Sequence, residues 1–308
     1  QDHPEIAKQG VLLRKYGQEV IRVTAGKRVH GTGAIPGGVN KSLKAEERDY
    51  LLKDLDQMIE WSLGALALMK RIFQGDFGFH KSFANVDANT LSLVRADGAF
   101  EIYHGGLRAK DVAGTPIFDH VDYRDYERHI QEEVKSWSYM KFPFIAQLGP
   151  ERGWYRVGPL ARVNNCDFFP TPLAERERQE FAGIDQNGPV QGALATHWAR
   201  LIEVVYCGEA IKELLQDPDL LGGDLVRKGD LQAKGIGVLE APRGTLFHHY
   251  EINEDGLVER ANLIVSTTNN NQAMNESIRE VASEYLDGQE ITEPLLNQIE
   301  VAIRAYDP

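Results

Sequence analysis

Cysteine is nearly absent from this sequence. Of 308 residues only two, Cys166 and Cys207, carry a thiol, and they stand far apart. They form no CxxC pair, so neither a zinc site nor a disulfide framework follows from them. There is no apolar run long enough to span a bilayer. The most apolar stretch, Trp61 to Met69, is short and sits inside a charged helical pattern. Basic residues are outnumbered, 34 Lys and Arg against 46 Asp and Glu, for a net charge of -12. Such a surface repels phosphate backbones and anionic headgroups, which argues against nucleic acid and membrane surfaces as partners, and the lack of an apolar run argues against membrane insertion. No initiator Met and no secretory signal open the chain, because Gln1-Asp2-His3-Pro4-Glu5 is polar and acidic. These absences point to a processed or missing beginning and to a reducing cytoplasm. Internal repeats, low-complexity segments and clear linkers are lacking too.

What is present is the balance of a folded protein, with 42% hydrophobic and 26% charged residues. That composition does not suit a disordered chain. Asp2 and Glu5 have capping-box spacing, and Pro4 is tolerated in a first helical turn. Leu13, Tyr16, Val20 and Val23 then recur at helical spacing, and Gly26 can end that helix. A glycine-rich loop runs from His30 to Lys41, followed by a long helix from about Lys44 to Gln74. Leu51, Leu55, Met58, Ile59, Leu66, Met69 and Phe73 make its apolar stripe, which is expected to pack in a core rather than bind a ligand.

Between about 90 and 118 the pattern becomes β-prone, with turns at Asp97-Gly98 and Gly105-Gly106. Charged helical sequence is expected at Tyr123 to Lys135, then an aromatic, proline-rich connector from Trp137 to Pro172. Pro189 is read as opening another long helix, with Leu194, Leu201, Val204, Val205 and Ile211 on its buried side. A β-hairpin over 245–265 turns at Asn253-Glu-Asp-Gly256. Two helices close the chain, Gln272 to Leu286 and, capped by Thr292 with Pro294 in its first turn, a last one to Tyr306. The expected fold is mainly α, a long-helix bundle with small antiparallel β insertions, as a single domain over 1–308.

Three segments invite a chemical reading. His30-Gly-Thr-Gly-Ala-Ile-Pro-Gly-Gly-Val-Asn-Lys41 has phosphate-loop glycine spacing at Gly33 and Gly38. Val39 stands where a Walker loop needs Lys, and a helix precedes the loop instead of a strand. Positive φ or close backbone approach explains the glycines better. His248, His249 and Glu251 could suggest a metal, but on a strand the two histidines face opposite ways. A cross-strand surface pair is the safer expectation. Glu240-Ala-Pro-Arg-Gly-Thr-Leu246 is more informative. It offers one permanently charged, planar donor fork on a proline-rigid loop, suited to an anionic or π-acceptor ligand; a structural salt bridge would use the same residue.

Four segments, taken together and in order, resemble the large subunit of nickel–iron hydrogenases. They are Arg28-Val-His-Gly-Thr-Gly-Ala-Ile-Pro-Gly-Gly38, Val157-Gly-Pro-Leu-Ala-Arg162, Glu240-Ala-Pro-Arg-Gly-Thr-Leu246 and Ala302-Ile-Arg-Ala-Tyr-Asp-Pro308. The wording Gly244-Thr-Leu-Phe-His-His-Tyr250 looks most like the cytoplasmic, NAD-reducing branch. The resemblance implies reversible heterolytic cleavage of H2 at a nickel–iron centre carrying carbon monoxide and cyanide ligands. It implies an electron-accepting iron–sulfur small subunit, with diaphorase-type partners carrying flavin and NAD. In that family two CxxC pairs hold the metals, the second directly after an Asp-Pro. By that alignment the chain is an internal fragment lacking both pairs, since neither Cys166 nor Cys207 matches a ligand position. Soft thiolates are chemically necessary for such a centre, so the chain as given would not assemble it.

The surroundings of the centre do map onto this sequence by the same resemblance. Arg243 matches an arginine that bonds a cyanide and overhangs the nickel, and Asp307 matches its carboxylate partner. Ala241, Pro242, Leu246 and Pro308 match the walls, and Thr267 a hydroxyl donor to the other cyanide. Leu263 falls where a backbone carbonyl would bind magnesium. The alternative from another class is a metal-free relative that forms a quinone site or a structural subunit in a respiratory-type complex. Glu240 to Gly244 and the terminal Asp-Pro favour the hydrogenase.

Overall fold

The computed structural model describes residues 4–185, 188–286, 288 and 290–307. Helix α1 runs Pro4–Ala25. The proposed Asp2 cap lies outside the described residues. Gly26 ends the helix as expected, with φ +82° and its N–H donated to Arg22 O at 2.9 Å. Two short strands, β1 (Ala34–Ile35) and β2 (Gly38–Val39), pair across the glycine-rich loop. Here close approach is the reason for glycine. A Cβ on Gly37 would sit 2.1 Å from Arg227 O, and one on Gly38 2.0 Å from Leu225 O. Helix α2 spans Ala45–Gly75, and α3 spans Phe77–Ser82.

Strands β3 (Asn89–Val94), β4 (Gly106–Lys110) and β5 (Pro116–Val121) form the expected β-rich stretch. The charged segment after it departs from its helical pattern. Only Tyr123–Arg128 coils, as a 3-10 turn capped by Asp122; Ile130–Val134 is strand β6. It pairs with β7 (Lys141–Ile145) inside the stretch expected to be a connector. Ile130 is buried and Gln131 exposed, so alternation outweighs the charge count here. The rest of that connector forms α4 (Gly149–Arg152), β8 (Tyr155–Arg156) and α5 (Pro159–Asn165), and α6 follows at Pro172–Ala182.

Helix α7 is Ala195–Gln216, so it starts well after Pro189. Of its expected buried side only Val205 is fully buried within the helix; Trp198 and Ile202 carry most of the face. Three strands follow, β9 (Lys234–Ala241), β10 (Gly244–Ile252) and β11 (Val258–Ile264), in the order β11-β10-β9. The hairpin of β10 and β11 matches its turn signal. Asn253 Oδ1 accepts from Leu257 N at 2.9 Å, and Gly256 takes φ +75°. Strand β9 is an addition, hidden in sequence by Gly235 and Gly237. Helices α8 (Ser266–Asn269), α9 (Asn271–Tyr285) and α10 (Glu293–Tyr306) complete the chain. The fold is mainly helical with small sheets, as expected. One pairing, β3 with β8, is parallel.

The chain groups into two compact units, residues 1–71 with 201–231, and residues 72–200 with 232–308. A single domain over 1–308 stands as a proposal about cooperative unfolding. In the first unit, Leu51, Leu55, Met58, Ile59 and Leu66 of α2 are buried, as the stripe predicts, while Met69 is half-buried. Helix α7 comes so close to α2 that a Cβ on Gly208 would lie 2.8 Å from Ile59 Cγ1. Tyr16 of α1 donates its hydroxyl to Leu51 O at 3.0 Å, and burial pushes that phenol up to about 12. In the second unit, Leu91, Leu107, Tyr126, Ile145, Val157, Phe247 and others from several sheets share one apolar core.

Candidate functional site

The site is built on the turn that joins β9 to β10. Ala241 pairs with Gly244, which leaves Pro242 and Arg243 at the tip. Pro242 fixes φ at one position. Gly244 takes φ +134°, and a Cβ there would lie 2.2 Å from Val157 Cγ2. Gly158 takes φ +98°, and a Cβ there would lie 2.9 Å from Arg243 O. The two motifs Val157-Gly-Pro and Arg243-Gly therefore interlock backbone to backbone, and each glycine is required by the other segment.

Arg243 projects from this turn toward the end of α10. Its Nε lies 3.3 Å from Asp307 Oδ2, and it also donates to the Asp307 carbonyl. Asp307 caps α10 in the left-handed region, at φ +52°. Both side chains are about half exposed, at 46% and 53%. An ion pair so exposed contributes about 0–1 kcal/mol. Its value is therefore in placement and not in stability.

Arg243 lines a narrow cavity with Arg156, Arg200, Thr196, Asn270 and Tyr306. Arg156 is buried, with its guanidinium 5.6 Å from the centre of the Tyr306 ring. It donates to Gln191 O at 2.7 Å, while its Nε finds no acceptor among the described residues. Arg200 donates to Ala305 O at 2.9 Å. Burial, with Arg200 alongside, pulls His197 below the ordinary imidazole value, which favours the neutral form of the ring. The cavity wall is thus strongly cationic, and Asp307 is the carboxylate that meets it through Arg243.

Behind the turn lies an ion pair that sequence reasoning missed. Arg162 donates to Glu240 Oε2 at 2.9 Å, and both side chains are nearly inaccessible. Glu240 Oε1 accepts from Leu93 N at 2.9 Å and from the Thr245 hydroxyl at 2.8 Å. Burial pushes the Glu240 carboxyl up from its ordinary value, and Arg162 opposes that shift. Every one of these neighbours points a donor at the carboxyl, which is the environment of a carboxylate. The available signal was that two opposite charges stood inside two of the resembling segments. The Asn269-Asn270 pair was also missed. Asn269 donates to Thr245 O at 2.8 Å, and Asn270 accepts from Val157 N at 2.9 Å.

The other expected site residues are scattered around this centre. Ala241 is half-buried and Pro242 exposed on the turn itself. Thr267 lies on α8, beside Ser266, whose hydroxyl donates to Gly244 O at 2.8 Å. Leu246 lines a separate cavity with Tyr103, His104, Tyr123 and His248, one that Arg243 does not border. Leu263 is exposed on β11 and registers with His248, away from the turn. Pro308 lies outside the described residues.

The histidine pair needs a correction. His248 is half-buried and bonds Tyr250 Oη at 2.9 Å, but His249 is fully buried and is no surface residue. Asn262 Nδ2 donates to Tyr126 Oη at 3.2 Å, and that hydroxyl lies 3.0 Å from His249 Nδ1. An apolar β-core favours burying the ring once a hydroxyl meets one of its nitrogens.

Among the described residues no group of three or more His, Cys, Asp or Glu could hold a metal ion. Cys166 is buried and bonds Val163 O at 3.7 Å, and Cys207 is exposed on α7. These residues do not supply the thiolate set of a nickel–iron centre. What they supply is a charged, rigidly mounted wall. No helix among the described residues is long and apolar enough to cross a membrane.

Comparison with known proteins gives this wall its context. The profile of the nickel-dependent hydrogenases matches residues 69–308. The chain is 45% identical to the NAD-reducing hydrogenase HoxS subunit beta of Cupriavidus necator, over 99% of this chain and 64% of that relative. It is 39% identical to an F420-non-reducing hydrogenase polypeptide of Methanothermobacter marburgensis, over 100% of this chain and 65% of that relative. The chain thus spans just under two thirds of these relatives. A crystal structure of an NAD+-reducing [NiFe]-hydrogenase in the H2-reduced state superposes with a TM-score of 0.96 at 48% identity, covering 99% of this chain and 68% of that one. A Ni-Fe-Se hydrogenase from D. vulgaris Hildenborough shares the fold alone, with a TM-score of 0.74 at 19% identity. With the profile running across both interlocked motifs and on through Asp307, the chain belongs to the nickel-dependent hydrogenase family.

Proposed function

We propose that the chain works as the catalytic large-subunit domain of a nickel–iron hydrogenase that cleaves H2 reversibly and heterolytically. The observation that carries this reading is Arg243, mounted on an interlocked turn and paired with Asp307 beside a cationic cavity. When bound, the metal centre would supply Lewis-acid activation of H2. Arginine presents a planar cationic donor fork, so the part of Arg243 is orientation and electrostatics, aimed at an anionic cyanide ligand. Asp307 holds that fork in place. Ala241 and Pro242, on the turn itself, would wall the diatomic ligands, and Thr267 would donate to one of them. The Leu263 carbonyl is the proposed magnesium ligand.

Electrons would pass to an iron–sulfur small subunit, then on to NAD through diaphorase-type subunits carrying flavin, in the cytoplasm. The 45% identity to an NAD-reducing relative supports this branch. The test is to purify the native complex, measure its nickel and iron, and assay H2-dependent NAD+ reduction. Equimolar metal with H2-dependent reduction is expected. A native complex without nickel, or one with the metals but no H2 uptake, would sink the proposal.

A further inference from the structure

We propose that Arg162 is the positioning residue for Arg243, locking the turn from its buried side. This rests on the reading of Arg243 given above. Arg162 donates to Glu240 Oε2 at 2.9 Å, to Ala241 O at 2.9 Å and to Pro242 O at 3.1 Å. These acceptors sit on the three successive residues before Arg243. Carbonyls in a tight turn usually face water; here one buried guanidinium holds two of them. Glu240 is itself anchored to β3 through Leu93 N, and to β10 through Thr245.

The other side of the turn is equally constrained. Gly158 lies against Arg243 O, and Val157 lies against Gly244. Pro242 contributes its fixed φ. With both preceding carbonyls pinned, little freedom remains in the direction that Arg243 leaves the backbone. The exposed Arg243–Asp307 pair is too weak to hold that direction alone. A buried ion pair is also a poor source of net stability, because desolvation offsets its attraction. Arg162 is suited to the task by its planar fork, which spans three acceptors at once. A lysine ammonium is a compact charge and would not reach all three.

The test has two arms. The first measures amide hydrogen exchange on the complete enzyme with Arg162→Lys. The amides of Ala241 and of residues 243–245 should exchange at least about tenfold faster, while those of α9 stay within about twofold. No acceleration in the turn, or equal acceleration everywhere, would overturn the proposal. Should Arg162→Lys fail to fold, Glu240→Gln replaces it, since a neutral amide weakens the charge-assisted bond. The same turn-confined acceleration is expected, and its absence overturns the proposal.

The second arm is a double-mutant cycle in the complete enzyme, with Arg162→Lys, Arg243→Ala and the two together. A residue that acts through Arg243 adds no further loss once Arg243 is gone. Losses that multiply would mean that Arg162 acts independently. A purely structural residue would lower the melting temperature in both backgrounds and multiply the losses. Unchanged turnover in Arg243→Ala alone would remove the catalytic reading of Arg243, while the exchange arm still decides whether Arg162 locks the turn.

Discussion

The two compact units bury different kinds of residue. In the unit built on α1 and α2, the interior is Val23, Leu51, Leu55, Met58, Ile59 and Leu66. Glu19 is buried there too, and it is met by Arg22 and Arg28. In the unit that carries Arg243, an apolar β-core is threaded by Arg108, Arg156, Arg162, Glu240 and His249, all buried. Apolar burial is non-directional and tolerates small shifts. Buried charge does not, because each group needs a partner at a set distance. Positional precision is therefore concentrated where the chemistry is proposed.

That contrast can be broken most severely at Arg162. Arg162→Met leaves Glu240 charged and unpaired, and should cost about 3–5 kcal/mol in urea unfolding. Adding Glu240→Leu removes the orphaned carboxylate but leaves Leu93 N–H and the Thr245 hydroxyl without that acceptor, so it should recover only part of that loss. A single-variant loss below about 1 kcal/mol would show that the pair is not integral to its unit. Next comes the apolar unit. Leu55→Ala removes a side chain that is 1% exposed and should cost about 3 kcal/mol through the cavity it leaves. No polar partner can rescue it. If 1–308 unfolds as one domain, both variants lower a single calorimetric transition; two transitions, with one moved by each variant, would separate the units.

At the site itself the effect is smaller in energy but specific in kind. Arg243→Lys in the complete enzyme should keep the metals and lower turnover roughly tenfold, about 1.4 kcal/mol of barrier. Normal metal content with unchanged turnover would make Arg243 a structural residue only. The smallest effect sharpens the contrast between buried and exposed charge. The Arg95 guanidinium holds exposed Asp97 down, from 3.8 to about 2. A lowered carboxylate adds stability that is present above 3.8 and is lost as pH falls through about 2. Asp97→Asn should therefore weaken the fold slightly at neutral pH and remove part of its acid sensitivity in that window. An unchanged acid titration of stability would show that the pair contributes nothing.

Legibility in sequence followed the same division. The stripe of α2 was readable because helical period and core burial say the same thing over many residues. The turn of β10 and β11 was readable because Asn253 and Gly256 are local requirements. The segment after Asp122 was misread, since its charges resemble a helix surface while its pairing partner, β7, lies beyond the connector's start. Strand β9 was invisible for a similar reason: it is held by β10 and by little of its own propensity. At the site, resemblance pointed to Arg243 and Asp307, which the fold brings together across 64 residues. It did not bring Leu246 or Leu263 to the same cavity.

Sequence alone thus determined what local periodicity and turn chemistry can carry: helices α1 and α2, the β-hairpin and the four family segments. Tertiary structure decided how those segments act on one another. That Gly158 must be glycine because of Arg243, and that Arg162 finds Glu240 across 78 residues, are long-range facts. Their physical cause is that a buried charge or a close backbone contact is satisfied only by a partner in space. Nothing in the local pattern says where along the chain that partner lies.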